Sequence, residues 1–264
     1  MMAILVRSWG LLRSFVRYYG IPLRQARLRR FYAQFVPRGG LCIDVGAHVG
    51  NRIRAWRALG ARVVAVEPHP DLMGVLHRLY RQDPEVSLVA AALGASPGEA
   101  SLWVSPGNLT VSTLSPDWVQ EVGQAPGFHR LHWQPSHRVP VTTLNALIDT
   151  FGMPAFVKID VEGFEAEVLR GLDRAVPCLS FECLPVARQR AHACLDRLEV
   201  LGGYRYNWSP GETHRLAFSQ WVGAERMRRF IQTLPMHGES GDVYARLDGF
   251  RPETSHGRAF LDAH

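Results

Sequence analysis

The sequence predicts an α/β protein built on a doubly wound, mainly parallel sheet, and three observations carry that expectation. Short apolar runs alternate with amphipathic stretches of helical period along most of the chain, the pattern of strands joined by crossover helices. The run Leu41-Cys42-Ile43-Asp44-Val45 enters a glycine-rich turn, Gly46-Ala47-His48-Val49-Gly50, which opens a helix. The next run, Val63-Val64-Ala65-Val66, ends in the acid Glu67 followed by Pro68. A strand, a glycine turn, a helix and a second strand closed by an acid is how a βαβ unit grips an adenosine-containing cofactor.

Taken in order, residues 1–36 read as a basic helical extension. Ile4, Leu5, Leu11, Leu12, Phe15, Val16 and Tyr19 share it with Arg7, Arg13, Arg17, Arg24, Arg27, Arg29 and Arg30, and Gly20-Ile21-Pro22 divides it into two helices. Two readings stand for it: a basic amphipathic helix lying on an anionic membrane, or a helix packed on the domain edge with its arginines in water. The domain proper, residues 37–250, begins with strand 41–45 and helix 50–59, where Ile53, Trp56 and Leu59 share a face and Gly60 ends the helix. Strand 62–67, helix 70–81 and strand 86–90 follow. A further strand over 99–104 starts after the turn Ser96-Pro97-Gly98, and residues 105–138, rich in Pro, Gly, His and Trp, read as irregular. Val139 to Ile148 gives a short strand and a helix. Strand 155–160 enters helix 163–172, and strand 176–182 enters helix 186–201. Strands 204–208 and 213–218, helix 223–233 and a last strand near 242–247 complete the domain, leaving 251–264 as a tail.

Composition narrows the class. The chain has 264 residues, 47% hydrophobic and 20% charged, with a net charge of +6, which suits an ordinary globular domain. No apolar run reaches the length of a membrane span, and arginines interrupt the N-terminal segment, so neither a transmembrane helix nor a signal peptide is expected. The four cysteines, Cys42, Cys178, Cys183 and Cys194, form no C-x-x-C pair. They read as buried free thiols in a reducing cytoplasm, with no metal or disulfide role. Lys158 is the sole lysine in a chain that otherwise uses arginine, which singles it out.

In sheets of this kind ligands lie outside the carboxyl ends of the strands, a rule that gathers Asp44, Glu67, Ala91 and Asp160 on one rim. Asp44 stands at the mouth of the glycine turn, where a pyrophosphate would otherwise lie. A carboxylate there repels phosphate and suits the cationic amino-acid end of S-adenosyl-L-methionine. Glu67 is placed to accept from ribose hydroxyls, and Gly46 and Gly50 let the backbone turn and approach a ligand. The second informative segment is Phe156-Val157-Lys158-Ile159-Asp160-Val161-Glu162-Gly163. Alternation on a strand puts Lys158, Asp160 and Glu162 on one face. Charges on such a strand are paired or used: Lys158 can neutralise Asp160, or a carboxylate can take a hydroxyl proton.

The segments Asp44–Asn51, Val63–Pro68, Val139–Leu144 and above all Lys158–Leu172 resemble the FkbM-type family of S-adenosylmethionine-dependent methyltransferases. The resemblance covers roughly residues 40–220. It implies a Rossmann-like class I methyltransferase fold with a seven-stranded, mainly parallel sheet, helices on both faces and the last strand antiparallel. It also implies O-methylation, often of sugar or polyketide hydroxyls. By matching positions it implies cofactor contacts from Asp44, Gly46, Ala47 and Gly50 at the methionine end, from Glu67 at the ribose and from Ala91 and Ala92 at the adenine; Asn51 and Pro68, beside them, are further candidates for the cofactor. Two positions depart from the family pattern: His48, where Asn is frequent, and Asn145, where Asp is usual.

These readings converge on an S-adenosylmethionine-dependent O-methyltransferase acting on a sugar, glycolipid or other small natural product, cytoplasmic or peripheral to a membrane. Asp160 and Glu162, then His48, are the candidate catalytic groups, with Asp160 also near the cofactor. Lys158, His129, His132 and Trp133 are the candidate substrate contacts, the last three on a lid within Phe128–Arg138. No metal and no nucleic-acid partner are expected. The rivals are an NAD(P)-dependent oxidoreductase, which Asp44 argues against, and a non-catalytic cofactor-binding protein on the same fold.

Overall fold

The computed structural model describes residues 22–250. The helix expected before Gly20 and the tail 251–264 lie outside the described residues. Helix α1 (Pro22–Tyr32) precedes β1 (Leu41–Val45), α2 (Asn51–Ala58), β2 (Arg62–Val66), α3 (Pro70–Tyr80) and β3 (Val86–Val89). The chain continues through β4 (Ala92–Leu93), β5 (Gly98–Ser105), β6 (Asn108–Thr113), α4 (Pro116–Val122), β7 (Gln134–Thr142) and α5 (Leu144–Phe151). Then come β8 (Phe156–Ile159), α6 (Glu165–Arg170), β9 (Cys178–Cys183), α7 (Arg188–Leu201), β10 (Tyr204–Pro210), α8 (Ala224–Thr233) and β11 (Gly241–Leu247).

Seven strands form the main sheet in the order β10-β11-β9-β8-β1-β2-β3. The pairs from β9 through β3 are parallel, and β11 is antiparallel to both its neighbours. This is the Rossmann-like sheet with one reversed strand that the sequence led us to expect. Strand order reverses between β1 and β8, and at that switch point ligands enter open α/β sheets.

The two faces of the central strands differ in chemistry. Leu41, Ile43, Val45, Val157, Ile159, Leu179 and Phe181 point to one face and join an apolar core with α5, α6, α7 and α8. On the other face Cys42, Phe156 and Cys178 start apolar against α1 and α2. Two residues further on, the register sets Asp44 beside Lys158, Lys158 beside Ser180, and Ser180 beside Tyr244. Period-2 alternation therefore carries one strand face from hydrocarbon to buried charge as it nears the carboxyl ends. Helix α1 is anchored over the apolar part: Leu28, Phe31, Tyr32 and Phe35 are buried, and Tyr32 meets Trp56 and Phe156 edge-to-face at 5.3 and 5.4 Å.

Two segments differ from their sequence expectation. Residues 105–138 are largely ordered: β6, α4 and the first half of β7 come from them, and β4-β7-β5-β6 make a second sheet. Its signals were present, since Ser115 caps α4 through its hydroxyl and Pro116 starts it; the density of Pro, Gly and His hid them. The strand expected over 213–218 does not form. There the Asn207 side chain takes the place of a partner strand, donating to the Phe218 carbonyl (2.8 Å) and accepting from its amide (3.0 Å). Extended pairing resumes only as a bridge between Tyr206 and Val222.

Candidate active site

Two cavities lie at the carboxyl ends of the parallel strands and share Gly46, His48, Thr110, Asp160 and Glu162. The larger is an open cleft of about 900 Å³ whose walls include Ala47, Asn51, Arg52, Glu182 and Asp242. The smaller is walled by Glu67, Pro68, Ala91 and Ala92 and roofed by β6 residues such as Leu109, Ser112 and Thr113. The structure thus brings most of the sequence candidates onto one rim, with Gly46, His48, Asp160 and Glu162 at the junction.

The turn after β1 owes its shape to backbone crowding. Gly46 has φ +83°, and a Cβ there would sit 1.9 Å from the Asp160 carbonyl oxygen. The two loops that close the junction are therefore in contact, and only glycine allows it. His48 and Glu162 both hold left-handed backbones, φ 52° and 54°, a costly state for residues with a Cβ that concentrates at working sites. The Glu67 carboxylate steadies this turn, accepting from the His48 amide (2.9 Å) and the His69 amide (2.8 Å). Each oxygen keeps lone-pair capacity toward the cavity.

The loop after β8 has its own organiser. Glu165 is 3% exposed, and one of its carboxylate oxygens accepts from the Val161 and Gly163 amides, both at 3.1 Å. Burial lifts its pKa to about 6 against these two amides. Glu165→Gln, which offers a neutral and weaker acceptor, is expected to lower stability by about 1–2 kcal/mol. It should also raise the KM for both substrates together, because Asp160 and Glu162 sit on that loop; urea unfolding and initial rates check this.

Lys158 is fully buried, with Nζ 2.9 Å from Asp242 Oδ1 and 3.2 Å from Asp160 Oδ2. Burial works to lower its pKa, but the charges of Asp160 and Asp242 outweigh it and hold the ammonium charged. Around this pair, Asp160, Glu162 and Glu182 bring carboxylate oxygens within 4.8 Å of one another. Burial, then the charge of Glu182, raises Glu162; burial, then the charge of Asp160, raises Glu182. Glu162 and Glu182 are thus both pushed toward the protonated form by burial and by neighbouring carboxylate charge.

Asp44, on β1 two residues before Gly46, lines neither cavity; it is 1% exposed, and its Oδ2 has no hydrogen-bond partner. Burial pushes its pKa to about 7 against the nearby Arg52 and Lys158 charges. Arg52 is also buried, reaching Asn51 Oδ1 at 3.3 Å and Glu212 at 3.7 Å while its Nε–H has no partner. One orphaned acceptor and one orphaned donor, of opposite charge, fit the ammonium and carboxylate of an amino-acid zwitterion, which is the methionine end of S-adenosylmethionine.

A pH dependence follows. An ammonium needs Asp44 ionised, and Asp44 gives up its proton near pH 7. Affinity for S-adenosylhomocysteine is therefore expected to rise about tenfold from pH 6 to pH 8 with proton release, measurable by calorimetry in buffers of different ionisation enthalpy. The ligand-free fold runs the other way. Asp44 and Glu67, each raised to about 7 by burial, hold protons that the unfolded chain has already lost. Their contribution is complete at acid pH and fades as pH rises through 7.

Several sequence candidates fall elsewhere. Lys158, like Asp44, lines neither cavity: it is fully buried with Asp160 and Asp242 on its ammonium, a place from which it positions Asp160. Gly50 also lines neither cavity. Its carbonyl accepts from Tyr80, and a Cβ would meet that ring at 2.7 Å, so its glycine serves the turn. His129 and His132 are exposed outside both cavities. Trp133 is tied down by donation to the Val111 carbonyl (2.7 Å) and by stacking on Phe128; the same loop presents Phe128 and Leu131 to the cleft instead. Asn145 joins α5 to the turn after α6 by accepting from the Asp173 amide. Sequence reasoning gave no role to Arg52, Glu165, Glu182 or Asp242. Glu182 was within reach, as an acid ending a strand on the same rim. Asp242 was not, because it starts a strand and reaches the rim only by running antiparallel.

The sequence profile described as the methyltransferase FkbM domain matches residues 44–193, more than half of the chain. A hexuronic acid methyltransferase, AglP of Haloferax volcanii, is 26% identical over 170 residues, covering 60% of this chain and 58% of its own length. The match thus spans less than two thirds of that relative. Among solved structures, precorrin-6y C5,15-methyltransferase of Geobacter metallireducens is similar at a TM-score of 0.43 and 12% identity, covering 85% of this chain and 86% of its own. A TehB-like S-adenosylmethionine-dependent methyltransferase of Corynebacterium glutamicum is similar at a TM-score of 0.41 and 13% identity, covering 84% and 87%. With its matched segment starting at Asp44 and running past the acidic loop of β8, the chain belongs to the FkbM methyltransferase domain family.

Proposed function

We propose that the chain transfers a methyl group from S-adenosylmethionine to a hydroxyl of a sugar, glycolipid or other small natural product. The observation that carries this reading is the junction of two cavities at Gly46, His48, Asp160 and Glu162. The smaller cavity, with Glu67 and the Ala91-Ala92 wall, suits an adenosine. Asp44 and Arg52 suit a zwitterion, and the open cleft beyond leaves room for an acceptor. The hexuronic acid relative supports a sugar-like acceptor.

Bound here, S-adenosylmethionine supplies an electrophilic methyl on a sulfonium. What remains for the protein is to align a hydroxyl with that methyl and to take up its proton. Asp160 is the group we assign to the proton: it opens on both cavities, and Lys158 fixes its carboxylate from below. Glu162, raised in pKa and held with a left-handed backbone, is suited to hydrogen-bond the acceptor. His48 completes the junction.

Incubation with S-adenosylmethionine and a panel of glucuronides, neutral glycosides and hydroxylated polyketides tests the reading, with methylated product read by mass spectrometry. Methylation of a hydroxyl is the expected outcome. Thermal stabilisation by NAD and not by S-adenosylhomocysteine would sink it.

A further inference from the structure

Charge is divided unevenly along this chain. Residues 1–43 hold eight arginines and no Asp or Glu, leaving 22 basic against 24 acidic residues in 44–264. In the rest of the domain many arginines sit beside acids, as in Arg57–Asp83, Arg174–Asp149, Arg190–Glu121, Arg205–Asp248 and Arg228–Asp196. On and just after α1, Arg27, Arg29, Arg30 and Arg38 are exposed, and none forms an ion pair among the described residues. Leu28, Phe31 and Tyr32 bury the opposite side of α1, so the arginines fan across its outward surface. Arg27 is also part of the cleft wall.

We infer that this arginine face docks on an anionic lipid surface and sets the cleft mouth beside the bilayer. The acceptor would then be a hydroxyl on the headgroup of a membrane-borne lipid; that last step rests on the function proposed above, and the docking does not. Two observations favour lipid over nucleic acid. The cleft interior carries Asp160, Glu162, Glu182, Glu212 and Glu239, which repel a polyphosphate. The sequence leading into α1 mixes Arg7, Arg13 and Arg17 with Leu11, Leu12 and Phe15, a combination that suits the interface of a bilayer.

Partition of the full chain between buffer and vesicles tests the docking without any methyl transfer. Phosphatidylcholine vesicles with and without about a third phosphatidylglycerol are compared at low and high salt. The expected result is salt-sensitive binding to the anionic vesicles alone, weakened roughly thirtyfold in Arg29→Gln/Arg30→Gln, with S-adenosylhomocysteine affinity unchanged as the check on folding. Failure to bind anionic vesicles, equal binding to neutral ones, wild-type binding by the variant, or tighter binding to a single-stranded oligonucleotide would each overturn it. A failure of the proposed activity alone leaves the vesicle result intact, so the two remain separable.

Discussion

Replacing Asp160 by Asn is expected to lower kcat for methyl transfer by roughly a hundredfold to ten-thousandfold, the range for removal of a general base. The amide has nearly the carboxylate's shape and still accepts from Lys158 Nζ, now 3.2 Å away. It cannot take up a proton. The loss should therefore fall on kcat, with affinity for S-adenosylhomocysteine changed little. Glu162→Gln makes the control. Burial and Glu182 raise Glu162 in pKa, and its assigned part is a hydrogen bond to the acceptor that a Gln amide can also make, so kcat should fall by less than about tenfold. Equal losses in the two variants would move the proton to the pair, and a loss confined to Glu162→Gln would reverse the assignment.

The second large effect concerns stability. Lys158→Met is expected to cost about 3–5 kcal/mol, the usual result of breaking a buried ion pair from one side. Lys158 is fully buried, and Asp242, with a side chain 11% exposed, would face a thioether in place of an ammonium. Asp160, at 30%, has water to fall back on. The cost should therefore rest on Asp242. Lys158→Met/Asp242→Leu should recover most of the stability and little of the activity, because Asp160 still lacks the cation that fixes it. Chemical unfolding and initial rates on the same samples separate these outcomes, and a single variant as stable as wild type would refute the role given to Lys158.

How far the sequence could be read depended on the range of the interaction. Gly46, Asp160 and Glu162 were legible because strand period and turn chemistry are local, and both gathered on the rim. The reason Gly46 must be glycine was not local: the crowding comes from the Asp160 carbonyl, more than a hundred residues on. Lys158 was legible as a charge needing a partner. Its second partner, Asp242, comes from a strand that reverses direction, a tertiary fact that no periodicity carries. Arg52 looked like one more arginine on a helix; the fold buries it opposite Asp44. The aromatic and histidine-rich loop was harder to read, because residue type does not tell which of its side chains border the cleft: His129 and His132 are exposed but line neither cavity. Trp133 spends its indole N–H on Val111, while Phe128 reaches the cleft.

A crystal structure of the protein with S-adenosylhomocysteine bound tests the central claim most directly. The account predicts the sulfur at the junction of Gly46, His48, Asp160 and Glu162, the adenosine in the smaller cavity against Glu67 and Ala91, and the amino-acid end between Asp44 and Arg52. An adenosine in the open cleft, or a sulfur beyond contact distance of Asp160, would contradict it.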